Sequence, residues 1–203
     1  MAAVVAGVLA GLLAWPGAGS AQLLADTTQL LTGSTQTLTG QASAVTAVVL
    51  GTVTSLANTG TLTDPADPLG TGQPTGSIPG LLSAEALHAV TMGWTDQVAS
   101  EASLGNLAMS VAGVGISADA IMSRALAVSD AGSTGLTSIE GLTIGGMSIV
   151  PAGVPNQQIS IAGLSVILNE QIQTADGIIV NALHIRTFDG LTDVVIGSAK
   201  AGI

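Results

Sequence analysis

The chain has 203 residues and a formal net charge of −10, because thirteen Asp and Glu side chains face only Arg124, Arg186 and Lys200. This negative field repels phosphate groups and argues against nucleic acid as a partner, and no Lys or Arg occurs before residue 124 to bind anionic lipid. The absence of Cys excludes a disulfide scaffold, a Cys-ligated zinc site and thiol catalysis.

Residues 1–21 have the order of a secretory signal peptide. An apolar run of about a dozen residues precedes a break at Pro16 and Gly17, and small residues follow as far as Ala21. The run is short for a membrane-spanning helix. Since no basic residue precedes the run, a helical N-terminal segment that is not cleaved is the alternative interpretation. The order predicts export to the extracellular space or cell surface, and a mature chain without an integral membrane domain.

Residues 22–41 are rich in Thr and lack helical spacing, and we expect a mobile leader or a first strand there. Residues 42–203 are predicted to be a single β domain. Within it, residues 42–56 combine β-branched side chains with near alternation, which predicts one strand that bends at Gly51. Residues 57–80 hold four of the seven prolines. They predict a loop, because each Pro lacks a backbone donor.

The next segments read as strands. Residues 81–92 fit a helix by propensity and a strand by alternation, and we expect a strand because neighbouring segments alternate. Residues 115–130 have period two, with Arg124 interrupting the apolar face. That face is predicted to carry Ile116, Ala118, Ala120, Met122, Leu126 and Val128.

Two Asp-Gly pairs, Asp176–Gly177 and Asp189–Gly190, predict tight hairpin turns that use the positive φ of glycine. Two hairpins in succession make an antiparallel meander. Because aromatic residues make up only 1% of the chain, the core must consist of Ala, Val, Ile and Leu, which suits packed sheets. The expected fold class is therefore all-β, an antiparallel β-sandwich.

Residues 168–185, LNEQIQTADGIIVNALHI, and residues 193–199, DVVIGSA, follow the strings GLTIGG and VPNQQISIAGL. Together they resemble the C-terminal half of the choice-of-anchor P family of secreted bacterial surface proteins, over about residues 80–203. The resemblance implies a small exported β-rich domain without an established catalytic activity. Unlike many members of that family, the chain has no Cys, and it ends at Ile203 without an LPxTG-like sorting motif. Anchoring by that route is therefore not expected.

His184 is one of two imidazoles, and Ser-His-Asp catalysis would need such a ring beside a nucleophile and a carboxylate. Alternation places His184 and Arg186 opposite Leu183 and Ile185, which predicts that His184 lies on an exposed strand face. Asn181 is predicted to share the face of Leu183 and Ile185 and to be a buried polar residue bonded to backbone.

Glu170 is expected to lie near Arg186 across the hairpin, where a surface ion pair would contribute no more than about 1 kcal/mol. A secreted hydrolase would need Glu170, His184 and Asp193 to meet in one cleft. The chain has no G-x-S-x-G motif and few aromatic or polar groups to form a site, so no catalysis is expected.

Calcium is the one ion that the sequence suggests. Asp64 and Asp67 in the Pro-rich segment, and Asp189 and Asp193 around the last turn, offer hard oxygen ligands. Their spacing lacks the density of an EF-hand, so solvated turn residues are the favoured interpretation and no cofactor is expected.

The mean hydropathy of +0.65 is high for a monomer of this size and predicts self-association into a homo-oligomer or filament. The expected function is a secreted or cell-surface structural β module that self-assembles by strand addition through residues 22–41, without catalysis. The alternatives are a monomeric adhesive or ligand-binding module and a secreted hydrolase.

Overall fold

The computed structural model describes residues 37–161 and 163–203. Over these residues the chain forms thirteen β-strands and no α-helix, arranged as two antiparallel sheets that pack face to face. The predicted all-β sandwich is confirmed. The same residues include no helix long and apolar enough to cross a membrane. The predicted signal peptide, residues 1–21, and residues 22–36 of the Thr-rich segment lie outside the described part.

The first sheet, called the six-stranded sheet below, has the order β10-β11-β12-β13-β1-β2. Its four central strands have ten or eleven residues, of which at least half are buried in each, whereas its two edge strands have seven and five residues. The strand bounds are β10 Gln157–Ile161, β11 Leu164–Gln173, β12 Gly177–Thr187, β13 Thr192–Gly202, β1 Thr39–Val49 and β2 Thr52–Asn58.

The second sheet, the seven-stranded sheet, has the order β3-β4-β5-β6, after which β6 pairs with β7 along one part and with β8 along another. β9 pairs with β8. The strand bounds are β3 Leu69–Ile78, β4 Leu82–Gly93, β5 Gln97–Val111, β6 Val114–Val128, β7 Gly132–Glu140, β8 Thr143–Ile144 and β9 Met147–Ser148.

Two of the predicted elements were wrong in the first third of the chain. Residues 42–56 were expected to be one bent strand, but Leu50 and Gly51 have φ of 51° and 79° and form a two-residue hairpin turn between β1 and β2. Residues 57–80 were expected to be a loop, but β3 occupies much of that range. Pro74 is tolerated because β3 is an edge strand, where a missing donor leaves no buried acceptor unpaired.

Farther along, the strand predicted over residues 81–92 is confirmed as β4, and β11, β12 and β13 form the predicted meander. The two Asp-Gly pairs differ. Gly190 has a φ of 71° as expected, but Gly177 does not have positive φ. Glycine is needed at residue 177 because a Cβ there would collide with the backbone of Ala201.

Along a line of residues that crosses both sheets, the alternation of inward-pointing and outward-pointing side chains changes phase. We call this line the switch line. In the six-stranded sheet, the register of paired residues skips one position on each strand, and the skipped positions lie side by side across the sheet. Left-handed backbone with φ between 47° and 61° marks it. The marking residues are Ala57, Gly197 and Asn169 in the six-stranded sheet and Ala86 and Asn106 in the seven-stranded sheet.

The switch line overturns the face predicted for residues 115–130. β6 buries Ile116 and Ala118 before the line, but Ile121 and Ala125 after it, so the alternation changes phase at residues 119 and 120. Arg124 therefore does not interrupt the apolar face, and it lies exposed on the outer surface. Regular extended backbone keeps inward and outward side chains in strict alternation. A residue with left-handed backbone in a paired strand shifts this alternation by one position.

The core between the sheets is made of small aliphatic side chains, as the composition predicted, and it divides near the switch line. We call the end with the β1–β2 and β10–β11 turns the upper half, and the end with the β11–β12 turn the lower half. The large cluster of the upper half contains most of the buried Leu and Ile. The lower half has a smaller cluster, formed by Leu62, Val98, Ala125, Ala127, Ile178, Val180, Ala199 and Ala201.

Candidate functional site: a histidine between two carboxylates

The switch line brings a set of polar side chains together on the outer face of the six-stranded sheet. Leu168, Leu183 and Ile185 point into the core, so His184 points outward. The alternation resets at Asn169 on β11 and near residue 182 on β12. Glu170 and Asn181, its register partner on β12, therefore also point outward, on the same side as His184.

The ring of His184 lies between two carboxylates. Its Nδ1 is 2.6 Å from Oε2 of Glu170, and its Nε2 is 2.9 Å from Oδ1 of Asp193. Asn181 donates from Nδ2 to the same Glu170 oxygen at 2.6 Å, and Ser198 donates from Oγ to Oδ1 of Asn181 at 2.7 Å. We call these residues, together with Arg186, the histidine cluster.

Burial distinguishes the cluster from an ordinary sheet surface. The side chains of His184 and Glu170 are only 5% and 9% exposed, whereas that of Asp193 is 40% exposed. Charged groups at such depth persist when they are paired and hydrogen-bonded, and both are. The cluster is closed on its Glu170 side and reaches solvent on its Asp193 side.

Arg186 gives the ring a second possible partner. Its Nε is 2.9 Å from Nε2 of His184 and donates to Oδ2 of Asp193 at 3.0 Å. When the ring is protonated, both of its nitrogens donate, one to each carboxylate. When the ring is neutral with its proton on Nδ1, Nε2 accepts instead and Arg186 can donate to it.

The pKa values of Glu170 and His184 are shifted in opposite directions. The hydrogen bond from His184 is the main cause that lowers the pKa of Glu170, against the effect of burial. Burial by itself would lower the pKa of His184, but the hydrogen bonds and charges of Glu170 and Asp193 together outweigh it, and the pKa of His184 is raised. Both shifts favour the charged pair.

In this geometry one imidazole ring is paired with two carboxylates. The structure does bring Glu170, His184 and Asp193 together, which the hydrolase alternative requires. A general base, however, needs a ring nitrogen within reach of the proton that it removes, and here each nitrogen faces a carboxylate. The nearby hydroxyl of Ser198 is directed to Asn181 and not to the ring.

Three sequence predictions about these residues were wrong. His184 was expected on an exposed face and is buried. Asn181 is buried as predicted, but it lies on the face of His184 and bonds to side chains, not to backbone. Glu170 was expected to pair with Arg186, but His184 is its ion partner and Arg186 pairs with Asp193. The role of Ser198 was missed, and the polar doublet of Asn181 and Ser198 is visible only once the β12–β13 register is known.

The four candidate calcium ligands do not converge. Asp64 accepts a hydrogen bond from the backbone of Ala66 in its own turn, at 2.9 Å. Asp189 accepts from the hydroxyl of Thr187 and from the backbone of Leu191, which lowers its pKa. Asp193 belongs to the histidine cluster. No group of three or more His, Asp or Glu within residues 37–161 and 163–203 has a geometry that could hold a metal ion.

Two concave features of the surface lie away from the cluster. One depression of about 360 Å³ at the lower end is lined by Asp130, Gln173, Asp176 and Ile203, among others. Another, of about 490 Å³, lies beside the switch line and is lined by Ala86 and its neighbours. Neither contains a member of the histidine cluster, although acidic residues line both: Asp130 and Asp176 the first, Glu140 the second.

No protein-family model, no curated protein and no solved structure matches this chain. The resemblance to the choice-of-anchor P family therefore stays a prediction from the sequence.

Proposed function

We propose that this chain is a structural module of the cell exterior that associates with copies of itself through the edges of its sheets, and that it has no catalytic activity. The observation that carries the proposal is the chemistry of the six-stranded sheet's edges. β2 and β10 contain no charged residue and no Pro. Charged side chains and Pro are the usual means by which monomeric β proteins protect an edge from pairing with another chain.

The exposed apolar side chains support the same proposal. Leu50 and Val53, at the β1–β2 turn and on β2, are 73% and 64% exposed. Val150 and Val154, in the segment before β10, are 82% and 55% exposed. Each edge of the six-stranded sheet thus has uncovered apolar groups beside it, which association would remove from water.

The histidine cluster fits a module whose function is structural. Its hydrogen bonds join β11, β12 and β13 through side chains as well as through the backbone. Export is supported by the signal-like order of residues 1–21 and by the choice-of-anchor P resemblance.

The route of association predicted from the sequence needs revision. Strand addition was expected through residues 22–41, but Thr39, Gly40 and Gln41 are paired with β13 as part of β1. Those residues cannot pair with a second chain without leaving the sandwich, so that route is restricted to residues before β1.

Light scattering of the purified full chain over a range of concentrations tests self-association. We expect a mass that exceeds the 19.7 kDa of one chain and rises with concentration. A constant mass of one chain at every concentration would contradict the proposal and favour a monomeric adhesive module. Deletion of residues 22–36 should leave the assembled mass unchanged, and loss of assembly on deletion would restore the N-terminal route.

A further inference from the structure

We infer that copies of the chain join head to tail, with β2 of one copy pairing antiparallel with β10 of the next, and extend the six-stranded sheet from molecule to molecule. This inference rests on the proposed self-association and specifies its interface. Four features of the described residues lead to it: strand direction, strand level, the covering of the remaining edge, and the chemistry of the other sheet.

Strand direction comes first. All neighbours in the six-stranded sheet are antiparallel, so its first and sixth strands, β10 and β2, run in opposite directions. A copy that is placed beside the sheet in the same orientation therefore presents β2 antiparallel to β10. An even number of alternating strands permits this continuation with the standard antiparallel ladder.

The two edges also lie at the same level. Register partners connect Gln157 through β11, β12, β13 and β1 to Leu56, and Ser160 in the same way to Val53. Residues 157–160 of β10 thus lie at the height of residues 53–56 on the opposite edge. Two copies can pair without sliding along the strand direction, with Ser160 opposite Val53 and Gln158 opposite Ser55.

The rest of each edge is already covered by the chain itself. On the β2 side, the lower part of β1 is bonded by Thr59, whose N–H donates to Ala42 at 2.9 Å, and by Leu62, whose N–H donates to Gly40 at 2.7 Å. On the β10 side, Asn156 covers the lower part of β11 and accepts from the N–H of Gln171 at 2.9 Å. Only the upper parts, β2 and β10, lack a strand partner among the described residues.

The seven-stranded sheet does not offer the same continuation. Its edge strands β3 and β7 run in the same direction, because an even number of antiparallel steps separates them. β3 also contains Pro74, and β7 ends at Glu140. The remaining edge strand, β9, has only two residues. Pro and charge on an edge disfavour pairing, so the six-stranded sheet is the one that extends.

The interface is heterologous, since it joins two different edges, and it leaves one free β2 and one free β10 at the ends of any chain of copies. Such contacts generate open assemblies unless the rotation closes a ring. Neighbouring strands rotate by about 20°, so six strands add up to about 120° and successive copies would follow a helix. The expected product is a helical filament in place of a closed dimer.

A charge-pattern experiment tests this pairing. The four residues Val53, Ser55, Gln158 and Ser160 are exposed, so substitution there should leave the fold intact. One variant carries V53K, S55K, Q158K and S160K, and its matched partner carries V53K, S55K, Q158E and S160E. In the proposed register the first places Lys opposite Lys at two positions, and the second places Lys opposite Glu.

We expect the all-Lys variant to have the mass of one chain and the Lys/Glu variant to assemble, with the same urea midpoint for both at concentrations too low for assembly. If β2 paired with β2, or β10 with β10, the Lys/Glu variant would face like charges and would also be monomeric, which would overturn the inference. If both variants assemble, association occurs through another surface, and the proposed function survives without this interface. A monomeric unmodified chain would instead contradict the proposed function itself.

Discussion

The outer faces of the two sheets each carry an ion pair between central strands, and the two pairs differ in burial. Glu170 and His184 on the six-stranded sheet are 9% and 5% exposed, whereas Glu101 and Arg124 on the seven-stranded sheet are 26% and 56% exposed. The first pair has Asn181 and Asp193 as further partners. The comparison indicates that the switch line, which turns Glu170 and Asn181 to the same side as His184, creates a buried cluster where ordinary alternation leaves a surface pair.

Removal of one carboxylate should show the largest difference between the two pairs. Glu170→Ala leaves His184 and Asn181 without their common acceptor, and we expect the free energy of unfolding to fall by about 3–5 kcal/mol. Glu101→Ala on the other sheet is the matched control and should cost no more than about 1 kcal/mol. Urea unfolding followed by circular dichroism measures both. Equal losses of unfolding free energy in the two variants would mean that the difference in burial does not make the Glu170 pair more stabilising than the Glu101 pair.

The pH dependence of stability should also distinguish the buried Glu170–His184 pair from the exposed Glu101–Arg124 pair. Glu170 stabilises fully above its ordinary pKa of 4.5 and loses this contribution as the pH falls through its lowered pKa. His184 stabilises fully below its ordinary pKa of 6.5 and loses its contribution as the pH rises through its raised pKa. The cluster should therefore contribute most between pH 4.5 and 6.5.

The measurement is the difference in unfolding free energy between the natural chain and a His184→Gln, Glu170→Gln double variant, from about pH 3 to about pH 9. We expect a maximum within the stated window and a decline on both sides. A difference that stays flat over the whole range would show that the cluster is held by neutral hydrogen bonds.

A smaller effect is expected at the switch line itself. Gly197 has a φ of 61°, and a Cβ there would lie 3.3 Å from that of Ala182. Gly197→Ala should therefore cost about 1–2 kcal/mol. Ala86 has a φ of 49° with a side chain already present, so Ala86→Gly relieves strain and should be neutral or stabilising by up to about 1 kcal/mol. Thermal unfolding of the two variants tests this, and a loss of stability in Ala86→Gly would contradict the strain argument.

The smallest effect concerns the exposed pair. Arg124→Ala should change the free energy of unfolding by no more than about 1 kcal/mol, because water screens the pair and its long side chains lose entropy when they meet. Raising the salt concentration should reduce even this difference. A loss comparable to that of Glu170→Ala would show that Arg124 contributes through packing of its aliphatic stem.

Much of the fold was predictable from the sequence, because alternation and a composition rich in small aliphatic residues suffice to indicate packed antiparallel sheets. The faces of the strands were less predictable. Ala86 has left-handed backbone although nothing in its sequence context distinguishes it from an ordinary strand alanine, while Asn106 and Asn169 are residues that tolerate this conformation and offered a weak signal. If a phase change in the alternation is not recognised from the sequence, every later residue of the strand is assigned to the wrong face of the sheet.

Every member of the histidine cluster except Ser198 stands out in the sequence, but their arrangement does not. The Asp-Gly pair predicts a turn centred on Asp176 and Gly177, but the β11–β12 register places Glu170 opposite Asn181 and Val166 opposite Ile185. An error in the position of a turn shifts every cross-strand partner. Burial of His184 depends on neighbours from three strands, which a single segment of sequence does not specify.

The division of the core near the switch line has a consequence for how the molecule opens. Four of the eight residues in the lower cluster are alanines, whereas the upper cluster is rich in Leu and Ile. Each missing methylene forgoes about 0.8 kcal/mol of burial, so local opening should begin at the lower end. Amide hydrogen exchange should therefore be faster in β12 near Ile178 than near Leu183. The upper end, which carries both edges of the proposed filament contact, would remain closed during these fluctuations and present an ordered surface to the next copy.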